Sequence, residues 1–181
     1  MPDIHAGERI DVKNLDVALD SDIFFRKMIR TVAGTLEDRV GMDEASGFIA
    51  VLGQELGRRI ELAYEKSLNR RHFEKETVAD ILVDLKRRIG GEFSIESVNS
   101  NRMVLTNKRC PFGEEVLQRP SLCMMTSNVF GYIVSNSNGY AAIKLPETIS
   151  QGHGRCRVVI ELKMSDEFTE SEEYREYFSQ S

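Results

Sequence analysis

The first half of the chain is built from apolar residues that recur every three or four positions. In residues 23–40 this spacing follows Ser21 and Asp22, whose side-chain oxygens can cap a helix, and Gly41 then supplies a stop. The pattern therefore predicts a first helix over this stretch.

A second, longer apolar stripe follows in residues 43–68, where Asp43 can cap the helix. Gly47, Gly53 and Gly57 interrupt it. A glycine inside a helix costs about 1 kcal/mol relative to alanine, so something must compensate for these three. Close approach of a neighbouring element is the first explanation, and a ligand passing over the glycines is the second.

A third helix is predicted for residues 74–89, again with apolar residues on one face and a pair of glycines at its end. It carries a dense basic cluster of Lys86, Arg87 and Arg88, which acidic residues flank on both sides. We expect this cluster to lie on a solvated face of the helix.

The hydrophobic period then changes to two. Residues 93–98 and 103–106 predict one β-hairpin, residues 120–135 a fourth helix, and residues 140–145 and 155–163 a second hairpin. Helices that bury their stripes against antiparallel strands give an α+β fold, in which helices pack on one face of an antiparallel sheet built from two hairpins.

A length of 181 residues fits one domain with a full core. We divide it into a leader over residues 1–20, a single sensing or output domain over residues 21–164, and an acidic tail over residues 165–181. Fraying is the commonest behaviour of such a tail. A docking helix and a partner-binding segment are the alternatives.

Charge and motifs exclude several function classes. A formal net charge of -5 disfavours direct contact with nucleic acid or acidic membranes. No segment resembles a signal peptide or a membrane span, which predicts a cytoplasmic protein without a membrane partner. A GxSxG elbow, a Walker loop and a GxGxxG loop are all missing, so we expect no enzyme activity.

The candidate chemistry lies in three cysteines, Cys110, Cys123 and Cys156. Thiolates suit zinc, Fe-S clusters or copper, and His153 is the nearest candidate for a fourth ligand. The chain has no CxxC pair, however, and free cysteine is also a common core residue. A reactive thiol at Cys110 or Cys123 is the third explanation, because a nearby helix start can lower a thiol pKa. A disulfide framework is not expected in a reducing compartment.

A ligand-facing surface is suggested by the fourth predicted helix. Cys123, Ser127, Phe130 and Val134 share one face at helical spacing. Together with Gly53 and Gly57 of the second predicted helix, they form our candidate binding site for a small apolar ligand.

Four segments carry a family resemblance: ILVDLKRRIGGEF (residues 81–93), RCPFG (109–113), RPSLCMMTSNVFG (119–131) and GYAAIKLPETISQGHGRCRVVIEL (139–162). Over about residues 23–162 the chain resembles the methanogen output domain family, and more distantly the 4-vinyl-reductase-like domains. That resemblance implies a regulatory, non-catalytic, small-molecule-sensing domain of a bacterial or archaeal signalling system. It also implies a fold that encloses an apolar ligand and forms a homodimer, with output through a signalling protein partner.

The resemblance also bears on the cysteines. It carries Cys110, Cys123 and Cys156 over as a candidate metal or cluster site, with zinc or an Fe-S cluster as the candidate cofactor. A cysteine-based metal, Fe-S or redox sensor is therefore the alternative function.

Overall fold

The computed structural model describes residues 13, 15–169 and 173–179, and it has the α+β architecture expected from the sequence. Most of the predicted leader and part of the acidic tail lie outside the described residues. The helices are α1 (Ser21–Leu68), α2 (Lys75–Arg88), α3 (Pro120–Asn138) and the short α4 (Asp166–Thr169). The strands are β1 (Phe93–Val98), β2 (Arg102–Asn107), β3 (Tyr140–Glu147), β4 (Cys156–Glu161) and β5 (Arg175–Phe178).

The first two predicted helices follow each other within the 48 residues of α1, with a kink between them at Gly41. Asp20, rather than Ser21 or Asp22, caps the first by accepting a hydrogen bond from the backbone N–H of Ile23 at 2.8 Å. Gly41 ends this first helix, as predicted, because its φ of 82° and ψ of 167° are not helical. Glycine adopts this conformation at little cost, and the second helix begins directly after it.

The sheet is antiparallel throughout, with the strand order β1-β2-β4-β3-β5. The two predicted hairpins are both present, and pairing of β2 with β4 joins them. At one edge β5 pairs with β3, so Tyr140 lies opposite Phe178. Fraying was the first expectation for the acidic tail, and residues 175–178 correct it by forming this strand.

A buried tyrosine explains why β5 holds to the domain. The hydroxyl groups of Tyr177 and Ser127 lie 2.9 Å apart, and the Tyr177 hydroxyl also donates to Oδ1 of Asn128 at 3.0 Å. A Cβ atom added at Gly131 would lie 2.3 Å from the Tyr177 ring. The glycine therefore leaves room for this ring against α3.

The helices form two layers above the sheet. α3 contacts β3 and β5 on one side and α1 on the other, while α2 contacts β1 and α3. The main core lies between α2, α3 and the sheet, and Leu82, Leu105, Phe130 and Ile160 are fully buried there. None of the helices in the described part of the chain has both the length and the apolar run needed to cross a bilayer.

Two glycines set the distance between α1 and α3. A Cβ added at Gly53 would lie 2.4 Å from Cβ of Asn128, and one added at Gly57 would lie 2.9 Å from Cβ of Tyr132. At Gly47, in the same helix, an added Cβ meets nothing within 4 Å. Close helix packing therefore accounts for Gly53 and Gly57, as the first explanation of these glycines proposed.

A matched pair of substitutions tests this packing. Gly53→Ala should lower the free energy of unfolding by about 1–3 kcal/mol, because the new methyl group forces the two helices apart. Gly47→Ala should raise it by about 0.5–1 kcal/mol, because the site is open and alanine favours the helix. Urea unfolding followed by circular dichroism measures both. Equal effects of the two substitutions would contradict the close approach of α1 to α3.

Candidate functional site

The three cysteines come from separate parts of the chain and line one cavity. Cys110 follows β2, Cys123 lies in the first turns of α3, and Cys156 begins β4. All three are free and half-buried, and the cavity that they share has a volume of about 30 Å³. This is room for at least one water-sized group.

Burial favours the neutral form of two of these thiols, Cys110 and Cys123. It raises the pKa of Cys110 to about 11 and also raises the pKa of Cys123. The Cys123 thiol donates to Oγ of Ser150 at 3.0 Å, and Sγ of Cys156 accepts from the backbone N–H of Ile149 at 3.3 Å. A reactive thiol requires a lowered pKa. In this arrangement the pKa of Cys110 and of Cys123 is not lowered.

The metal assignment stays a prediction. Among the described residues, no group of three or more His, Cys, Asp or Glu side chains is arranged to hold a metal ion. His153, the predicted fourth ligand, is exposed, and its Nδ1 atom lies 3.1 Å from the carbonyl oxygen of Thr148. Thiols must also lose their protons to bind a metal, which burial opposes here. As the side chains stand, they do not fit a bound metal ion.

The structure adds a residue that the sequence analysis placed on a solvated surface. Lys86 is only 4% exposed, whereas its neighbours Arg87 and Arg88 face solvent and bind Asp84. The expectation for Lys86 was wrong. Leu82, one helical turn earlier, is fully buried, and this i, i+4 relation was the sequence signal that Lys86 lies on the inner face.

The Lys86 ammonium group lies beside the thiol cavity. It donates a hydrogen bond to Oγ1 of Thr126 at 2.8 Å, and it lies 5.2 Å and 5.6 Å from the ring centroids of Phe130 and Phe93. Thr126 and Phe93 both line the thiol cavity. The cation is therefore held just behind the cavity wall.

Electrostatically, Lys86 is a buried cation among neutral groups. Burial lowers its pKa to about 8, although the three nearby cysteines favour its charged form. No carboxylate in the described part of the chain forms an ion pair or hydrogen bond with it. Within the described residues, the amino group of Lys86 therefore has no carboxylate as counter-ion.

The predicted ligand face of α3 is divided between a second cavity and the core. Cys123 and Ser127 line this second cavity, which has a volume of about 250 Å³ and lies between α3, β3 and β5. Phe130 and Val134 are fully buried in the main core instead. Gly53 and Gly57 pack on α3, as described above. The ligand assignment of these six residues stays a prediction, and two of them border this cavity.

The two cavities adjoin each other. Cys123, Leu145 and Thr148 line both of them. One wall of this region is tied to the first half of α1, where Nη1 of Arg30 donates to the carbonyl oxygen of Leu117 at 3.0 Å and Arg119 binds Glu37 at 2.6 Å.

A larger apolar groove of about 610 Å³ lies open between the second half of α1 and α2. This groove was not predicted from the sequence. It contains none of the predicted site residues, and its walls include Ile60, Ala63, Ile81, Leu85 and Ile89.

The fold is similar to those of two solved structures. The phenol-responsive sensory domain of the transcription activator PoxR, solved with phenol, has a TM-score of 0.61 at 16% identity, covering 75% of this chain and 73% of that one. A trafficking protein particle complex subunit 3 from Naegleria fowleri, covalently bound to palmitic acid, has a TM-score of 0.52 at 10% identity, covering 78% and 96%. At such identities the likeness concerns the fold alone.

Sequence comparison then gives the family. The model of the family called methanogen output domain 1 matches residues 28–161, and the chain belongs to this family. No curated protein matches the chain significantly.

The charge of Lys86 should be visible in the pH dependence of stability. Because its pKa falls from 10.5 to about 8 on folding, the unfolded chain holds more protons between these values, and the free energy of unfolding should rise with pH across that range. The slope is at most about 1.4 kcal/mol per pH unit. Lys86→Met should lack this contribution and should be the more stable protein at pH 7.

Urea unfolding at several pH values measures this effect as the difference between wild type and variant. The difference is needed because the pKa of Cys110 is raised on folding, which gives a slope of opposite sign above pH 9 in both proteins. Lys108→Met, which removes an exposed lysine, is the matched control and should follow wild type. Parallel curves for wild type and Lys86→Met would contradict the burial of the charge.

Proposed function

We propose that this chain is a regulatory domain that binds a small molecule and is not a catalyst, and that it serves a bacterial or archaeal signalling system. Membership of the output-domain family supports the regulatory role. The fold shared with the phenol-responsive domain of PoxR supports the ligand class, a small and largely apolar molecule. We place the domain in the cytoplasm, because its three cysteines are free.

The adjoining cavities carry this proposal. They lie between α3 and the sheet. The walls of the thiol cavity are mainly apolar, whereas the larger cavity is lined by apolar and polar side chains in similar measure, Glu173 and Arg175 among them. Apolar walls with a few polar groups are typical of small-molecule sites. Volumes of about 30 Å³ and about 250 Å³ suit a compact ligand. We place its body against Cys123 and Ser127.

The proposal includes a homodimer formed through α1. This helix exposes many large apolar side chains, among them Phe48, Val51 and Leu52, which are 55%, 67% and 49% exposed. Apolar surface of this extent along one helix marks a protein contact. A dimer whose geometry responds to the ligand would pass the signal to a separate signalling partner.

Native mass spectrometry of the freshly purified full chain tests ligand and dimer together. We expect a dimer that carries additional small-molecule mass, which denaturation releases. A monomer without additional mass would reject the proposal.

The double substitution Phe48→Glu and Leu52→Glu tests the dimer separately from the ligand. Because both changes place charge on the apolar face of α1, the doubly substituted chain should be monomeric by light scattering. Lys66→Glu adds a negative charge at an exposed position of the same helix and should remain dimeric.

A cysteine-based metal, Fe-S or redox sensor is our second proposal. The observation in its favour is that three free cysteines from distant parts of the chain line one cavity. Binding of zinc or a cluster would require these thiols to move and to lose protons.

Anaerobic purification followed by elemental analysis and a visible spectrum tests this second proposal. We expect stoichiometric metal that is lost in each of Cys110→Ser, Cys123→Ser and Cys156→Ser, or a disulfide after mild oxidation that is lost in two of these three variants. Metal-free protein with three thiols that stay titratable after oxidation would reject it.

A further inference from the structure

Lys86 has no carboxylate counter-ion among the residues that the structure describes. An ammonium group loses its hydration on burial, and this cost is normally offset by an opposite charge and by several hydrogen bonds. Lys86 has one hydrogen bond, to Thr126, and two aromatic ring faces. An ammonium has three N–H donors, so two remain for another partner.

The groups that face Lys86 do not supply the charge. They are Phe93 of β1, Thr126 and Phe130 of α3, and the three cysteines around the cavity. Burial favours the neutral thiol by raising the pKa of Cys110 and Cys123. An anion from outside the described chain would supply this charge.

The position of Lys86 beside the thiol cavity determines where an external anion can approach it. Thr126 and Phe93, which touch the ammonium group, line the thiol cavity, and that cavity adjoins the larger one at Cys123, Leu145 and Thr148. Lys86 itself lines neither cavity. A ligand bound across both would place one end group against Thr126 and Phe93, next to the ammonium group.

We propose that the ligand of this domain is a small organic anion, whose carboxylate enters the thiol cavity beside Lys86 while the rest of the molecule extends into the larger cavity. This inference rests on the proposed small-molecule function and specifies the chemical class of the ligand. Lys86 is then the residue that selects an acid over a neutral molecule of the same shape.

The experiment compares carboxylates with neutral amides of matched shape. The probes are benzoate, butyrate and hexanoate against benzamide, butyramide and hexanamide, and calorimetry with the full chain measures each Kd. A charge-assisted hydrogen bond should favour the carboxylates by about tenfold to a hundredfold in wild type. Lys86→Met should lose this preference, and Lys108→Met should keep it.

Two results would overturn the inference. One is a wild type without preference for any carboxylate, a comparison that decides the matter even if Lys86→Met fails to fold. The other is a preference that persists in Lys86→Met, which would assign the anion to Arg175, the arginine that lines the larger cavity.

The same titrations separate this inference from the proposed function. If amides bind wild type and Lys86→Met as tightly as carboxylates do, the domain binds small molecules but does not select an anion. Absence of binding by every probe, together with native protein free of additional mass, would remove both. If a thiolate neutralises Lys86 instead, wild type lacks the carboxylate preference and reacts faster with iodoacetamide than Lys86→Met does.

Discussion

The structure depends on the close contact of α3 with its neighbours on both sides. Gly53 and Gly57 let α1 approach one side of this helix, and Gly131 accepts the Tyr177 ring on the other. Because larger residues at these points would collide with α3, its position is fixed by packing on both faces. That position places Cys123 and Thr126 at the thiol cavity and Ser127 beside the larger one.

Within this rigid frame, Lys86 is a costly feature. The main core around it is apolar, and a methionine would fill the same place without losing hydration. Groups with strongly shifted pKa values beside a cavity are concentrated at functional sites. Burial raises the pKa of the Cys110 and Cys123 thiols beside the cavity, which favours their neutral form and leaves the cation without a charged partner there. The buried cation therefore lies on the cavity side of α3 and not at the contact of α3 with α1.

Much of the fold could be predicted from hydrophobic period alone. The spacing of apolar residues predicted α2, α3 and both hairpins, because each of these elements buries one face. It missed β5, since four residues in an acidic segment carry little periodic signal and the strand is held mainly by Tyr177. The break within α1 was predicted from Gly41, because a glycine can take the positive φ that stops a helix.

The candidate site was predicted less well than the fold. Sequence spacing grouped Cys123, Ser127, Phe130 and Val134 on one helical face, but it could not tell which of them meet a cavity and which meet the core. The cysteines converge on one cavity although they are distant in sequence, which only tertiary structure determines. Lys86 was overlooked because a lysine between charged neighbours is usually solvated, and its burial follows from α2 lying flat on the sheet and α3.

The bend at Gly41 divides α1 into two parts that rest on different supports. The first part is attached to the cavity wall through Arg30 and Glu37, and Ala33 packs with Val116 and Leu122 in the small core beside two of the cysteines. The second part is fixed to α3. A single glycine thus separates the part of this long surface helix that borders the cavity from the part that packs on α3.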